Sequence, residues 1–319
     1  MTLITSQVSQ ALLPDLKQYF QDGFNTFSDW SPIVYNVMNE QGGEFKYDEV
    51  LGPGSIPMNN TQNSSTNEIE FTKGYPTDVM PLIFKAKMAL SEEMMDWNQY
   101  RSAFDRSKAM GEATIQTICR LAAHPFLAGF SSGYTSYGDN KPLFSVSHTN
   151  PSGGTAMSNA SATSLAATEA NLETMMVNMK KTLSATDKKL NIVNNKLVWM
   201  VPEALEKEAI IITASTKRSG TGNNDLNYYE GKVSVFVNPW IGAEMTDVYG
   251  NAGSDTATYL LAQNLEHLRF NWDMRPTYRM WYDNDKDSDI LKVKFRAVPF
   301  WTQFLGTYAS KGDGTTYAS

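Results

Sequence analysis

The stretch Glu44–Ala123 constrains this chain most, because it does not read as part of a self-contained monomer. Two strand-like runs, Glu44–Val50 and Glu68–Thr72, are joined by the long polar connection Leu51–Asn67. Alternation puts Phe45, Tyr47 and Glu49 on one side of the first run and Lys46 and Asp48 on the other. In the second run Ile69 and Phe71 share a side, with Glu68 and Glu70 opposite. The connection holds Gly-Pro-Gly, Ile56-Pro57 and a run of Asn, Thr, Ser and Gln, a composition that favours turns. A connection of that length is uncommon inside a compact domain and is usually functional when it occurs. An isolated two-stranded ribbon is marginal in water. The sequence therefore predicts a hairpin covered from outside, most simply by another copy of the chain. Phe45, Tyr47, Ile56, Met58, Ile69 and Phe71 are the candidate inter-subunit contacts, and Gly52 and Gly54 the candidate flexing positions.

A third apolar run, Val79–Leu90, leads into about thirty residues of helical pattern. Ser91 suits an N-cap and Glu92-Glu93 place negative charge in the first turn. Met94, Trp97, Arg101, Phe104, Lys108, Gly111, Ile115, Ile118 and Ala122 then step at helical spacing, apolar at both ends and interrupted by Arg101 and Lys108, with Pro125 marking the end. Such a helix spans about 50 Å at 1.5 Å per residue. Gly111 is a third candidate flexing position, since glycine weakens a helix interior.

The flanks are less regular. Residues Met1–Gly43 read as an extended arm with a short helix, Ser9–Phe20, broken early by Pro14. Gly129–Thr163 is loop with an apolar island at Pro142–Val146. Ser164–Leu183 reads as a helix whose Met stripe belongs to a core. Lys188–Met200 is a strand or hairpin, Pro202 opens a helix over Ala204–Ile212, and Val233, Val235 and Val237 alternate as a strand. The C-terminal part is β-rich: Thr277–Tyr282, an acidic turn Asp283–Asp289, Ile290–Val298 and Trp301–Tyr308.

Chemistry is sparse. The histidines His124, His148 and His267 form no HExxH and no zinc spacing with the single cysteine, Cys119, which reads as a small buried apolar residue. His124 suits a helix end and His148 a turn. Asp283, Asp285, Asp287 and Asp289 fail the calcium-loop pattern, with Ser288 at the glycine position and Lys294 at the bidentate glutamate position. Gly220-Thr-Gly222 lacks the third glycine of a dinucleotide fingerprint, and Leu226 replaces the upstream glycine of a phosphate loop. No catalytic, cofactor or metal residue is assigned, and the expectation is that the chain is not an enzyme. A net charge of −7 gives no footprint for tight nucleic-acid binding. No apolar run approaches the roughly 20 residues that span a bilayer, and no signal peptide is read, so a cytoplasmic origin is expected.

The order of blocks resembles the tailed-phage major capsid protein of Hong Kong 97-type fold, nearest the Mu-like major head subunit. Four passages carry this: Met88-Ala-Leu-Ser-Glu-Glu-Met-Met95; Pro142-Leu-Phe-Ser-Val-Ser-His-Thr-Asn150 with Gly153-Gly154 and Ser158-Asn159; Leu197-Val-Trp-Met-Val-Pro-Glu-Ala-Leu205 with Glu208-Ala209; and Tyr278–Arg296. The resemblance implies an α+β subunit with an N-terminal arm (1–43) and an extended hairpin loop on a neighbour (44–80). It further implies a peripheral domain (81–185 and 268–319) with a long spine helix, and an axial domain (186–267). It implies self-assembly into pentamers and hexamers of an icosahedral shell in the virion, built in the host cytoplasm. Double-stranded DNA would be enclosed without tight binding, with a portal and no membrane. No long charged helix precedes the arm, so a separate scaffolding protein is expected. The rival readings are an encapsulin-like compartment, in which an N-terminal helix replaces the arm, and a soluble α/β enzyme.

Overall fold

A computed structural model describes residues 5–51, 56, 71–97, 99–131, 133–186, 192, 197–215, 226–263 and 266–315. In chain order the elements are α1 (Thr5–Phe24), α2 (Ser31–Val34), β1 (Asn36–Met38), β2 (Phe45–Leu51), β3 (Thr72–Val79), β4 (Leu82–Ser91), α3 (Glu92–Asp96), α4 (Tyr100–Leu127) and α5 (Glu169–Lys181). They continue with β5 (Leu197–Val201), α6 (Glu206–Thr213), β6 (Val233–Val237), β7 (Thr258–Ala262), β8 (Leu268–Asp283), β9 (Ser288–Trp301) and β10 (Thr307–Ser310).

Two four-stranded sheets organise the chain, in the orders β1-β8-β9-β4 and β10-β7-β5-β6, and β2 and β3 form a separate antiparallel ribbon. In the first sheet β9 pairs with β4 on one side and β8 on the other, so strands more than 190 residues apart are neighbours. The helices α1 and α4 cover one face of this sheet. Ile115, Ile118, Leu121 and Phe126 of α4 pack with Val293, Phe295, Phe270 and Trp272, while Leu16 of α1 meets Leu90, Ala103 and Leu291. In the second sheet every residue of β5 is buried, as its unbroken apolar run Leu-Val-Trp-Met-Val requires. One face joins the main core through Val198, Met200, Tyr259 and Leu261. The other packs Trp199, Val201 and Leu260 under Leu172, Met175, Met176 and Met179 of α5.

Several expectations are corrected. The N-terminal segment is more helical than expected: α1 is a twenty-residue helix laid along α4. Pro14 falls inside it on the exposed side, where water can meet the carbonyl that proline leaves unpaired. Its seat on α4 depends on two glycines. A Cβ at Gly111 would lie 2.1 Å from the Phe20 carbonyl oxygen, and one at Gly23 would lie 2.0 Å from that of Lys108. Gly111 is thus a crossing point inside an unbroken helix. Ser91 is both the last residue of β4 and the residue immediately before α3, which is a short separate piece, and α4 runs past Pro125 to Leu127. The partner of β2 is β3, eight residues containing Gly74 and Pro76 that show no apolar alternation. Proline is tolerated there because the ribbon is all edge. The expected strand at 68–72 lies outside the described residues except for Phe71, which is not in a strand, and Thr72, which opens β3. Finally, α5 and β10 pack with the second sheet, so the expected peripheral segments 81–185 and 268–319 each give an element to the other unit.

Candidate assembly surfaces

The base of the ribbon is seated on the chain itself. Phe45 and Val79 are buried against Val298 and Phe300 of β9, and Tyr47 stacks on Phe300 at 5.3 Å. The Tyr47 hydroxyl donates to Glu40 at 2.6 Å, with the Arg269 guanidinium over its ring. Burial and the Glu40 carboxylate push the phenol up to about 12. On the same side Glu49 accepts from the Tyr137 hydroxyl at 2.6 Å and the Tyr75 backbone N–H at 3.3 Å, and from the Gln303 amide. Burial raises its carboxyl above the usual range against those hydrogen bonds. Phe45 and Tyr47, expected as inter-subunit contacts, therefore belong to the subunit's own packing. The alternation was read correctly, but β9 covers that face.

Toward the outer end of the ribbon Val50 and Phe71 are each 68 % exposed and Ile56 is 83 % exposed, although Leu51 beside them is buried, and Met80, just past the base, is 67 % exposed. Ile56 and Phe71 are thus where contacts with another molecule were expected, while Met58, Ile69, Gly52 and Gly54 lie outside the described residues. A second exposed apolar group lies beside the second sheet, at Ile210, Ile211, Leu226 and Tyr228. Single exposed apolar residues are ordinary; groups of them mark interaction surfaces.

Two buried histidine clusters, invisible to motif reading, brace these surfaces. At the C-terminal end of α4, His124 Nδ1 donates to Asp247 Oδ2 at 2.5 Å, and Arg120 donates to the carbonyl and hydroxyl of Thr246. Asp247 also accepts from the backbone of Tyr249 and Asn251 and the Asn251 amide, closing the 246–252 turn. Burial lowers His124 below the ordinary histidine value, although Asp247 opposes this. For Asp247, burial acts upward, but the bonds from His124, Asn251 and Tyr249 outweigh it and hold the carboxyl low. This joint ties α4 to the loop ahead of β7. The second cluster replaces the expected turn histidine. His148 is fully buried, stacked on Phe304 at 3.6 Å and bonded to Asp139 at 2.6 Å and Asn159 at 3.2 Å. Asn159 donates to the Leu143 carbonyl and the Thr307 hydroxyl, fastening the Gly/Ser-rich loop to β10. Neither histidine bonds a nucleophilic side chain. Among the described residues no group of His, Cys, Asp and Glu could hold a metal ion, and the Asp283–Asp289 run turns β8 into β9. No helix among them is long and apolar enough to cross a membrane.

A family model described as phage capsid protein matches residues 76–310, roughly three quarters of the chain. No curated protein matches. Among solved structures, the capsid of Myoviridae phage XM1 is similar with a TM-score of 0.53 at 10 % identity, covering 90 % of this chain and 92 % of that one. The mature capsid of bacteriophage PhiM1 is similar with a TM-score of 0.50 at 11 % identity, over 87 % and 84 %. The virus-like particle from Pyrococcus furiosus is similar with a TM-score of 0.50 at 8 % identity, over 93 % and 98 %.

Proposed function

The chain belongs to the phage capsid protein family, with the Hong Kong 97-type fold of a major capsid protein, and on that premise we propose that its copies form the pentamers and hexamers of an icosahedral shell around double-stranded DNA. The observation that carries this is the ribbon: a seated base and, toward its outer end, the exposed apolar residues Val50, Ile56 and Phe71, which no described element covers. Shells are built from heterologous contacts repeated by every subunit, and these must bend differently in two kinds of capsomer. A protruding ribbon on a firm base suits that demand. In this reading the first sheet with α1 and α4 is the peripheral domain, α4 its spine. The second sheet with α5, α6 and β10 is the axial domain that surrounds the symmetry axes, and Ile210, Ile211, Leu226 and Tyr228 serve its contacts. The passages Pro142–Asn150 and Leu197–Leu205 support kinship with the Mu-like head subunits. The net charge of −7 suits a shell that encloses DNA without gripping it. A portal, a separate scaffolding protein and assembly in the host cytoplasm complete the proposal.

One observation favours the encapsulin-like alternative. In that family an N-terminal helix stands where phage subunits have an arm, and α1 is such a helix. The family match to phage capsid protein outweighs it. Electron microscopy of the purified chain tests both readings. Closed polyhedral particles are expected, and deletion of Gly52–Ser65 is expected to leave a folded subunit that forms none. Normal shells from the deletion would refute the role given to the ribbon. A co-purified enzyme inside the particles would transfer the assignment to the compartment.

A further inference from the structure

The joint at the C-terminal end of α4 leaves one polar atom unsatisfied. Asp247 accepts from His124 Nδ1, from the backbone of Tyr249 and Asn251 and from the Asn251 amide, a set of donors that suits an ionised carboxylate. The imidazole proton therefore sits on Nδ1, and Nε2 presents a lone pair. Burial holds the ring neutral at pH 7. Nε2 is itself buried and meets no donor among the described residues. An acceptor left in that state is costly, and native structures rarely carry one without a use for it. The same imidazole, only 3 % exposed, lines a cavity of about 370 Å³ together with Ser131, Gly133, Tyr134 and Tyr249. The rings of Tyr134 and Tyr249 stand 4.0 and 4.6 Å from it. Tyr134 is pinned by its hydroxyl to the Pro299 carbonyl at 2.7 Å. Tyr249 is 59 % exposed, so it is the wall that can swing aside and admit a ligand to Nε2.

What enters must donate a hydrogen bond, and the surroundings select a cation. None of the described residues that line the cavity is basic. Arg120, one turn earlier on α4, gives its guanidinium to Thr246. The Asp247 carboxylate lies directly behind the imidazole. Its field reaches the cavity wall, for after burial it is what raises the Tyr249 hydroxyl. The cavity also sits at the C-terminal end of a 28-residue helix, where the last carbonyls concentrate negative partial charge. Lone pair, carboxylate and helix end together call for positive charge and an N–H in one group. A metal ion does not fit, because among the described residues no cluster of His, Cys, Asp and Glu could hold one. A quaternary ammonium has the charge without the N–H, and an alcohol the donor without the charge. We propose that this cavity binds a small primary alkylammonium ion, free in solution, whose N–H donates to His124 Nε2. A volume of about 370 Å³ is at the small end for ligand sites, which suits an amine of a few carbons. The site lies within one subunit and does not depend on the shell reading. Its occupant would brace the tie between α4 and the loop ahead of β7.

The test is calorimetric titration of the full-length chain with n-butylammonium chloride at pH 7.5, with sodium chloride holding the ionic strength constant so that screening of exposed charges does not change. Saturable binding is expected at roughly 1–10 mM, within reach of a ligand of that size, with a rise in the unfolding midpoint that follows the same isotherm. Butanol and butyltrimethylammonium are expected to bind at least tenfold more weakly. His124→Phe removes the lone pair and should abolish binding, but it also strips Asp247 of a partner and the variant may not fold. Gly133→Leu avoids that difficulty. A Cβ at Gly133 meets only the Ser131 hydroxyl oxygen, at 3.6 Å, so the leucine can be accommodated while it fills the cavity from its wall. It is expected to unfold at the wild-type midpoint and to weaken butylammonium binding at least tenfold. Equal binding of butanol would overturn the proposal in favour of an apolar hollow, and equal binding of butyltrimethylammonium in favour of unspecific attraction of cations. No saturable binding of butylammonium would overturn it in favour of a buried water on Nε2. Wild-type affinity in Gly133→Leu would place the amine elsewhere and overturn it as well.

Discussion

Gly111→Ala separates two accounts of the long helix, because they predict opposite signs. If glycine only loosens α4, alanine should stabilise the subunit by about 1 kcal/mol from helix propensity. The structure argues otherwise. The new Cβ would lie 2.1 Å from the Phe20 carbonyl oxygen and 2.7 Å from the Phe24 nitrogen. Both are backbone atoms, so no side chain can swing aside, and α1 must retreat by about 0.9 Å to reach the 3.0 Å that real Cβ contacts keep. Overpacking of this kind costs about 1–3 kcal/mol. A gap of that size also forfeits roughly a quarter to a half of the dispersion well between facing atoms, here around buried Leu16 and Phe20. It lengthens the 2.7 Å bond from the Ser107 hydroxyl to the Leu16 carbonyl beyond hydrogen-bond range, worth about 1 kcal/mol. Set against the propensity gain, the net destabilisation is about 2 kcal/mol. Urea unfolding followed by tryptophan fluorescence measures it as a lower midpoint at unchanged slope. Gly23→Ala should cost a similar amount, and the double variant less than the sum, because a helix already displaced has relieved the second clash. A Gly111→Ala subunit as stable as wild type or more so would refute the crossing-point account and restore the flexing one.

Two further measurements follow from the buried groups. His124 is held below 6.5 by burial, so the folded chain binds its proton less readily than the unfolded chain. Its contribution to stability is present above about pH 6.5 and is lost as pH falls through that range toward the lowered folded value. His124→Gln should flatten the decline in stability between pH 7 and 5, and an unchanged slope would remove His124 from it. Burial pushes the Cys119 thiol up to about 12, so a thiol reagent at pH 8 should leave the folded subunit unlabelled and react fully in denaturant. Labelling at native rates would mean that the α1–α4 layer opens readily.

What was legible in the sequence followed period and punctuation. β2 showed itself by strict alternation, β5 by its apolar run and α5 by a Met stripe that proved to be core. The acidic run between β8 and β9 read correctly as a turn. What failed was whatever depends on a distant partner. β3 has no apolar period because its pairing, not its side chains, makes it a strand. Pro14 misled because a proline on the wet side of a packed helix is affordable, and only the α4 groove reveals that side. The α5 and β10 assignments failed because nothing in a loop's composition says which of two sheets the element after it will join. At the surfaces, alternation marked Phe45 and Tyr47 as apolar but could not say that β9 covers them. The histidine clusters were missed because Asp247 stands 123 residues from His124, and because Asn159 and Phe304 gain meaning only when stacked on His148.

The central place of β9 also sets a clock. β4 ends at Ser91, yet its partner strand β9 begins at Ser288. At about 5–20 residues per second, translation leaves the first half of that pair waiting on the order of ten to forty seconds. The same late strand brings Val298 and Phe300, on which the ribbon is seated. A nascent chain therefore offers neighbours neither a finished sheet nor a fixed ribbon, and a truncated one never does. Many copies translated side by side from one message could otherwise polymerise while still on the ribosome. Here competence to join a lattice waits for β9, so that the making of this strand is checked by topology before it is ever checked by fit.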